Sequence, residues 1–319
     1  MIETFDVIPD TNPFRKYFPL VTAACCLLCV ILYVGINFEE NKNTWEAYGK
    51  WGALSSADIF NGGIWSLFTS AFLHLEVWQI GFNLYWFWVL GKKIEFESGK
   101  PFYILLIVTA AFVGSVVQLS FSDSPGIGLA GVDYALFGYI YIKGKLTPEY
   151  KDYLNRVAVI TLFGWIILCF VLARTNTWNL ATGMLIGGLL WGMALAYLSK
   201  YNKLTQWALA ISLIVVLTST VFWSPFSTSW LAYRAYNLHQ EQKLDEAVRL
   251  YKVILERDAN NEFAKVNLKQ LEVHKLEEQA HELQKKGQLK EARAICEQII
   301  IKDANNTWAR EMLEILPAQ

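Results

Sequence analysis

Up to Trp223 the chain is organised in apolar blocks of about 15 to 21 residues; beyond that point it turns charged and helical. This division constrains the fold more than any other feature. A helix needs roughly 20 apolar residues to cross a ~30 Å hydrocarbon core, so the blocks predict a membrane domain and the remainder a soluble one. With 54% hydrophobic residues, 15% aromatic residues, 13 Trp and a mean hydropathy of +0.27, the chain is too apolar for a soluble protein of 319 residues. The formal net charge of −1 gives no reason to expect nucleic-acid binding. Four of the five cysteines, Cys25, Cys26, Cys29 and Cys169, fall within apolar segments; only Cys296 does not. They read as small membrane-core residues rather than a disulfide framework or a metal site, and no cofactor is expected.

Seven spanning segments are expected, near residues 17–38, 77–90, 101–121, 128–142, 157–173, 180–198 and 206–223. Several fall short of a full crossing, which neighbouring helices, local thinning or a water-filled cavity can accommodate. The first follows Phe14-Arg15-Lys16 and ends in no clean small-residue cleavage site, so it is kept as an anchor. With the N-terminus inside, the inner connections hold 11 Lys and Arg and the outer ones only Lys42, Lys50 and Arg174. That bias predicts a cytoplasmic N-terminus. Seven crossings then place the tail outside, on the periplasmic side if the membrane is a bacterial inner membrane. Were the seventh segment not to cross, the tail would return to the cytoplasm. The first outer loop, 39–63, carries Trp45, Tyr48, Trp51 and Phe60, a composition suited to the membrane interface.

The expected domains are a tail at 1–16, a membrane domain at 17–200, a seventh helix at 201–225 and a helical domain at 226–319. In that last domain "KLDEAVRLYKVILERDANNEFA" (Lys243–Ala264) matches "QLKEARAICEQIIIKDANNTWA" (Gln288–Ala309) at an offset of 45. Small residues recur where paired helices approach, at Ala235 and Ala247 and again at Ala280 and Ala292. This resembles the tetratricopeptide helix-turn-helix unit, whose usual period is 34. The roughly 11 extra residues are expected to lengthen the helix beginning near Glu262, and alanine stands at Ala259 and Ala304 where proline is usual. A plain helical hairpin cap is the alternative. Two units are few for a repeat array, so contact with a soluble protein partner, the membrane domain or a second copy is expected through 231–319.

Four separated motifs resemble the rhomboid intramembrane proteases. "WGALSSADIFNGGIWSLFTSAFLH" (Trp51–His74) is similar to their first loop, and "FNLYWFWVLGKKIE" (Phe82–Glu95) to their second helix. "GLAGVDYALFGY" (Gly128–Tyr139) resembles their G-x-S-G-x-x-Y segment, and "LATGMLIGGLLWG" (Leu180–Gly192) their histidine-bearing sixth helix. Over residues 15–200 the resemblance implies an all-α, polytopic bundle of six core helices, here with a seventh. It also implies a serine nucleophile, a histidine base, and a histidine and asparagine that stabilise the oxyanion.

At those positions the sequence departs. Ala130 stands for the serine, Leu185 for the base and Gln79 for the oxyanion histidine, whereas Asn83 and Tyr134 remain. Ser66 follows Trp65 where the family has arginine. Of the four histidines, three lie in the tail, and His74 falls at a loop position near the mouth. Ser122 and Ser124 lie in the outer loop with no partner base in view. The resemblance therefore implies a defective serine-type endopeptidase, the Ser/His losses being natural or engineered. Gly188 and Gly192 form a G-x-x-x-G that packs a helix closely, with Gly128 and Gly131 expected opposite. Asp133 is ionisable within an apolar helix, a functional hypothesis by default; it either caps the helix start locally or grips a client.

These readings carry an expected function, namely binding the transmembrane segments of client proteins within the lipid bilayer, as inactive relatives such as iRhoms and Derlins do. Gln79, Asn83, Asp133 and Tyr134 are the candidate contacts. An endopeptidase with substituted catalytic residues is the alternative. A channel or transporter is disfavoured by the single deep ionisable residue and the lack of inverted repeats. A scaffold for the tail would leave Asn83 and Asp133 without a role.

Overall fold

The computed structural model describes residues 13–122, 124–174 and 181–316, all helix, turn and loop with no strand among the described residues. The expected tail at 1–16 is described only from Pro13, and the expected start of the sixth segment, Leu180, lies outside the described residues. The chain divides into two units, Met1–Ser227 and Thr228–Gln319.

The first unit contains α1 (Pro13–Lys16), α2 (Leu20–Ile36), α3 (Trp45–Lys50), α4 (Ser56–Phe60) and α5 (Ser66–Thr69). The long helices α6 (Val77–Ser98), α7 (Lys100–Phe121), α8 (Ala130–Lys143), α9 (Arg156–Arg174), α10 (Thr182–Leu198) and α11 (Lys203–Phe222) follow. Of these, α7 and α11 are long and apolar enough to cross a membrane, and Leu20–Ile36, Arg156–Leu172 and Thr182–Leu198 are shorter apolar helices. The polarity of the unit is inverted relative to a protein folded in water. Leu27, Ile31, Ile167, Val215 and Val216 face outward, while Asn83, Glu95, Gln118 and Asp133 are buried. A hydrocarbon solvent accounts for both facts.

Local sequence sets the helix boundaries. Gly99 adopts φ +80 and breaks α6 from α7, whose second residue is Pro101, a residue suited to a first turn. Asn202 caps α11 through Thr205 N at 2.9 Å.

The second crossing was expected to stop near Leu90, and instead α6 continues for two further turns to Ser98. Tertiary partners hold its charged end in helix. Lys93 pairs with Glu97 at 2.7 Å and lies about 5.4 Å from the Tyr153 ring. Glu95 accepts hydrogen bonds from Val21 N and Thr22 N at 2.9 Å each, from Thr22 Oγ1 at 2.9 Å and from Tyr17 Oη at 3.2 Å. The carboxylate thus satisfies the otherwise orphaned first-turn amides of α2. Lys92 and Lys93, two of the 11 cations assigned to the inner connections, therefore lie on the helix.

At the centre stands α8, in which every residue from Gly131 to Ile140 is buried. Its closest neighbour is α10. A Cβ added at Gly188 would lie 1.9 Å from Gly131 O, and one added at Gly192 would lie 1.9 Å from Ala135 O. These two backbones touch, as small residues at fourfold spacing allow. Gly128 takes no part in this contact. It precedes the helix at φ +108, where a Cβ would meet Gln79 Nε2 at 2.6 Å. The surface opposite Gly188 and Gly192 is Gly131 and Ala135, so Gly128 is corrected from a packing residue to a turn residue.

The second unit comprises α12 (Thr228–Gln240), α13 (Leu244–Arg257), α14 (Glu262–Lys285), α15 (Leu289–Lys302) and α16 (Thr307–Ile315). The 45-residue offset recurs in its geometry. Asn261 caps α14 through Ala264 N at 3.0 Å, and Asn306 caps α16 through Ala309 N at 2.8 Å. The turns between paired helices place Gln242 at φ +61 and Gly287 at φ +76. Ala235, Ala247, Ala280 and Ala292 are all fully buried, so the helices of each pair approach closely where their side chains are smallest. The extra length lies in α14, at 24 residues.

Candidate functional site

A cavity of about 680 Å³ lies among the start of α6, the turn preceding α8 and the N-terminal half of α10, with further wall from α3, α7 and α9. Gln79 and Asn83, one helical turn apart on α6, line it together with Ala130 and Leu185. All four family positions thus converge on one space, although they span more than 100 residues of sequence. Ala130 presents a methyl group and Leu185 an aliphatic side chain, so neither carries an atom that could attack a carbonyl or accept a proton. Trp45, Trp78, Phe82 and Trp165 contribute much of the remaining wall.

The polar groups of the site are engaged with one another. Gln79 Nε2 donates to Ile127 O at 2.8 Å, and Gln79 Oε1 accepts from Leu75 N at 3.3 Å. Gly128 N donates to Ser70 O at 3.0 Å. His74, wholly buried, lies 3.1 Å from Phe72 O through Nδ1. A carbonyl only accepts, so Nδ1 carries the proton and Nε2 is bare. Nε2 then accepts from Leu129 N at 3.3 Å and from Asn83 Nδ2 at 3.2 Å. Burial holds the His74 imidazole down to about 4, so it is neutral at physiological pH. With both ring nitrogens occupied inside the fold, His74 fastens the turn before Ala130 and is not available as a base.

His74, read from the sequence only as a loop residue near the mouth, has a role there that the sequence did not show. It stands five positions before Gln79, and the available signal was a lone histidine just upstream of an i, i+4 amide pair. Its role depends on Leu129, 55 residues away, which no local pattern reveals.

The other expected site residues lie elsewhere. Asp133, in the first turn of α8, is buried outside the cavity lining, and neither carboxyl oxygen has a hydrogen-bond partner. It forms no cap, and it does not line the cavity. Tyr134 is likewise buried and donates to Leu162 O on α9 at 2.8 Å. Ser122 and Ser124 do line the cavity. Ser122 Oγ accepts from Gln118 Nε2 at 2.8 Å and donates to Ser124 O at 2.9 Å. Gln118 Oε1 in turn accepts from Met184 N at 3.1 Å, fixing the start of α10 against α7. Ser66, in the place of the family arginine, is buried and accepts from Leu54 N at 2.8 Å, tying the first loop together.

Residues 61–202 match the rhomboid domain family. The chain is 31% identical over 185 residues to the rhomboid protease GlpG of Salmonella paratyphi A. The GlpG proteins of Salmonella typhi and Salmonella newport match it to the same degree. Each alignment covers 57% of this chain and 64% of the relative, so the chain spans somewhat less than two thirds of the length of the relatives it matches. Rhomboids are integral membrane proteins, in keeping with the inverted polarity of the bundle, and the domain match and these relatives together support the rhomboid family for this chain.

Proposed function

We propose that this chain is a rhomboid-fold pseudoprotease that binds transmembrane helices of client proteins without cleaving them. The observation that carries the reading is the cavity itself: it is built, largely apolar with a few polar groups, yet Ala130 and Leu185 stand where a nucleophile and a base would be needed. Serine proteolysis requires an activated oxygen and a proton acceptor, and this arrangement supplies neither. Binding requires only a shaped, partly apolar space with groups that can satisfy exposed backbone. The N–H of Ala130, the first residue of α8 and part of the cavity lining, has no acceptor within the helix. Together with the second amide proton of Gln79, it is a donor suited to a client's carbonyls where its helix frays. Asn83 and Gln79 are the side chains that would meet the client, while Asp133 and Tyr134 shape the wall behind.

The reading extends to the rest of the chain. The Lys and Arg bias supports a cytoplasmic N-terminus, seven crossings put the tail outside, and relatives from bacteria support an inner membrane. The paired helices of the tail, close in form to tetratricopeptide units, would hold a soluble protein or a second copy.

A second reading, an intramembrane serine endopeptidase whose catalytic residues have been replaced, is favoured by the relatives being named proteases. One experiment separates the two. The chain and its Ala130→Ser, Leu185→His version are reconstituted in liposomes with a transmembrane substrate, and cleavage and co-purification are followed together. Retention without cleavage by the chain as it stands is expected. Cleavage only by the double variant favours the second reading, and cleavage by the unaltered chain overturns both.

A further inference from the structure

A second cavity, of about 270 Å³, lies between α7, α10 and α11, away from the site described above. Its wall is apolar, formed mainly by Phe102, Leu106, Trp191, Leu195, Trp207 and Ile214. A polar group near it is already satisfied within the protein, since Trp191 Nε1 donates to Thr109 Oγ1 at 2.9 Å. Well beyond the slot, near the C-terminal ends of α7 and α11, these helices are joined by a hydrogen bond from Ser120 Oγ to Thr220 Oγ1 at 2.9 Å. The slot therefore lies toward the other end of these helices, near the start of α7, the finish of α10 and the start of α11.

That end carries three cations. Lys100 opens α7 two residues before Phe102, and Lys203 opens α11 four residues before Trp207. Lys200 follows α10 by two residues and sits 4.5 Å from the Tyr197 ring centroid. All three are exposed, and none is in an ion pair among the described residues. At 1.5 Å of rise per residue, each lysine stands within about 8 Å of the slot along its helix axis. An apolar slot open toward lipid and ending in a cluster of lysines has the form of an anionic phospholipid, with acyl chain below and charged headgroup above.

We propose that this slot binds one anionic phospholipid, with an acyl chain between α7 and α11 and the phosphate near Lys100, Lys200 and Lys203. The occupant follows from the charge. A zwitterionic lipid would fill the slot equally well and gain nothing from the lysines, and a client helix is too wide for it. Such a lipid would fasten α11 to the bundle, which matters because α11 buries little of its own surface against protein. The proposal is independent of whether the first cavity cleaves or only binds.

The test uses the full chain, delipidated in detergent and titrated with phosphatidylglycerol or phosphatidylcholine, with bound lipid read by native mass spectrometry. Phosphatidylglycerol is expected to be retained selectively, each lysine contributing about fivefold. In the triple variant Lys100→Gln, Lys200→Gln, Lys203→Gln the preference should fall on the order of a hundredfold, with no loss of folded protein. Ile214→Trp, which fills the slot, should lower retention of the same lipid while leaving the lysines in place. Equal retention of the two lipids by the unaltered chain overturns the proposal. So does a preference that survives the triple lysine variant, or phosphatidylglycerol binding indifferent to Ile214→Trp.

Discussion

Replacing Gly188 by alanine tests the central contact of the bundle. The added Cβ would lie 1.9 Å from Gly131 O, 2.8 Å from Gly131 C and 3.2 Å from Gly131 Cα. All three atoms belong to the backbone of α8, so no side-chain rotation relieves the overlap. The helices must separate by at least about 1 Å to bring the shortest contact to a distance that real Cβ atoms tolerate. Separation there also loosens Gly192 against Ala135 and Gly138 against Leu189 O, because the three glycines share one seam. Overpacking of this kind costs about 1–3 kcal/mol at a single site. Lost contact along the seam adds to it, since van der Waals packing is a principal force between helices in lipid. A destabilisation of about 3 kcal/mol or more is expected, measured as unfolding in mixed micelles of increasing denaturing-detergent fraction. Gly164→Ala on α9 is the control: its Cβ meets nothing within 4 Å, so it should be neutral or stabilise by up to about 1 kcal/mol through helix propensity. Gly188→Ala within about 0.5 kcal/mol of the parent would refute the reasoning, because the α8–α10 seam could not then be as close as described.

Glu95→Leu removes the acceptor for the part-buried Val21 N and the buried Thr22 N, which should cost about 1–3 kcal/mol or somewhat more. Glu95→Gln, which keeps one acceptor oxygen, should cost less, and hydrogen exchange at the start of α2 distinguishes the two. His74 gives a pH dependence. Its folded value of about 4 lies below the ordinary 6.5, so neutral His74 stabilises the fold fully above pH 6.5. That stability is lost as the pH falls toward 4, by up to about 3 kcal/mol in all. A His74→Gln variant should show a flatter stability profile across that window. In the tail, Gln242→Gly should stabilise the first helical pair by about 1 kcal/mol by relieving φ +61, whereas Gly287→Gln should destabilise the second pair by a similar amount. Limited proteolysis of the full chain reports both.

Much of the fold was legible because it rests on local chemistry. The polarity of the apolar blocks and the 45-residue repeat in the tail are each written within a few turns of chain. The four family positions, Gln79, Asn83, Ala130 and Leu185, came from the resemblance to rhomboid proteases, and that these positions hold no Ser-His pair can be read directly from the sequence. Which face of each membrane helix turns inward was not legible. A helix apolar all round carries little periodic signal, so Asp133 and Tyr134 could be placed on α8 but not on a side of it.

Tertiary structure alone decided the remainder, because the deciding partners are distant in sequence. Glu95 finds the amides of α2 more than 70 residues away, and this keeps the end of α6 helical through Lys92 and Lys93. Gly128 proved a turn residue because Gln79 occupies the place of any Cβ there. His74 became part of the site because Leu129 and Asn83 converge on one ring nitrogen. The sequence by itself determined that positions 130 and 185 carry none of the groups, an attacking oxygen or a proton acceptor, that serine proteolysis needs. Only the packing of α8 against α6 and α10 determined that the space they would have served persists, since backbone contacts at Gly188 and Gly192 hold those helices regardless of what stands at 130 and 185.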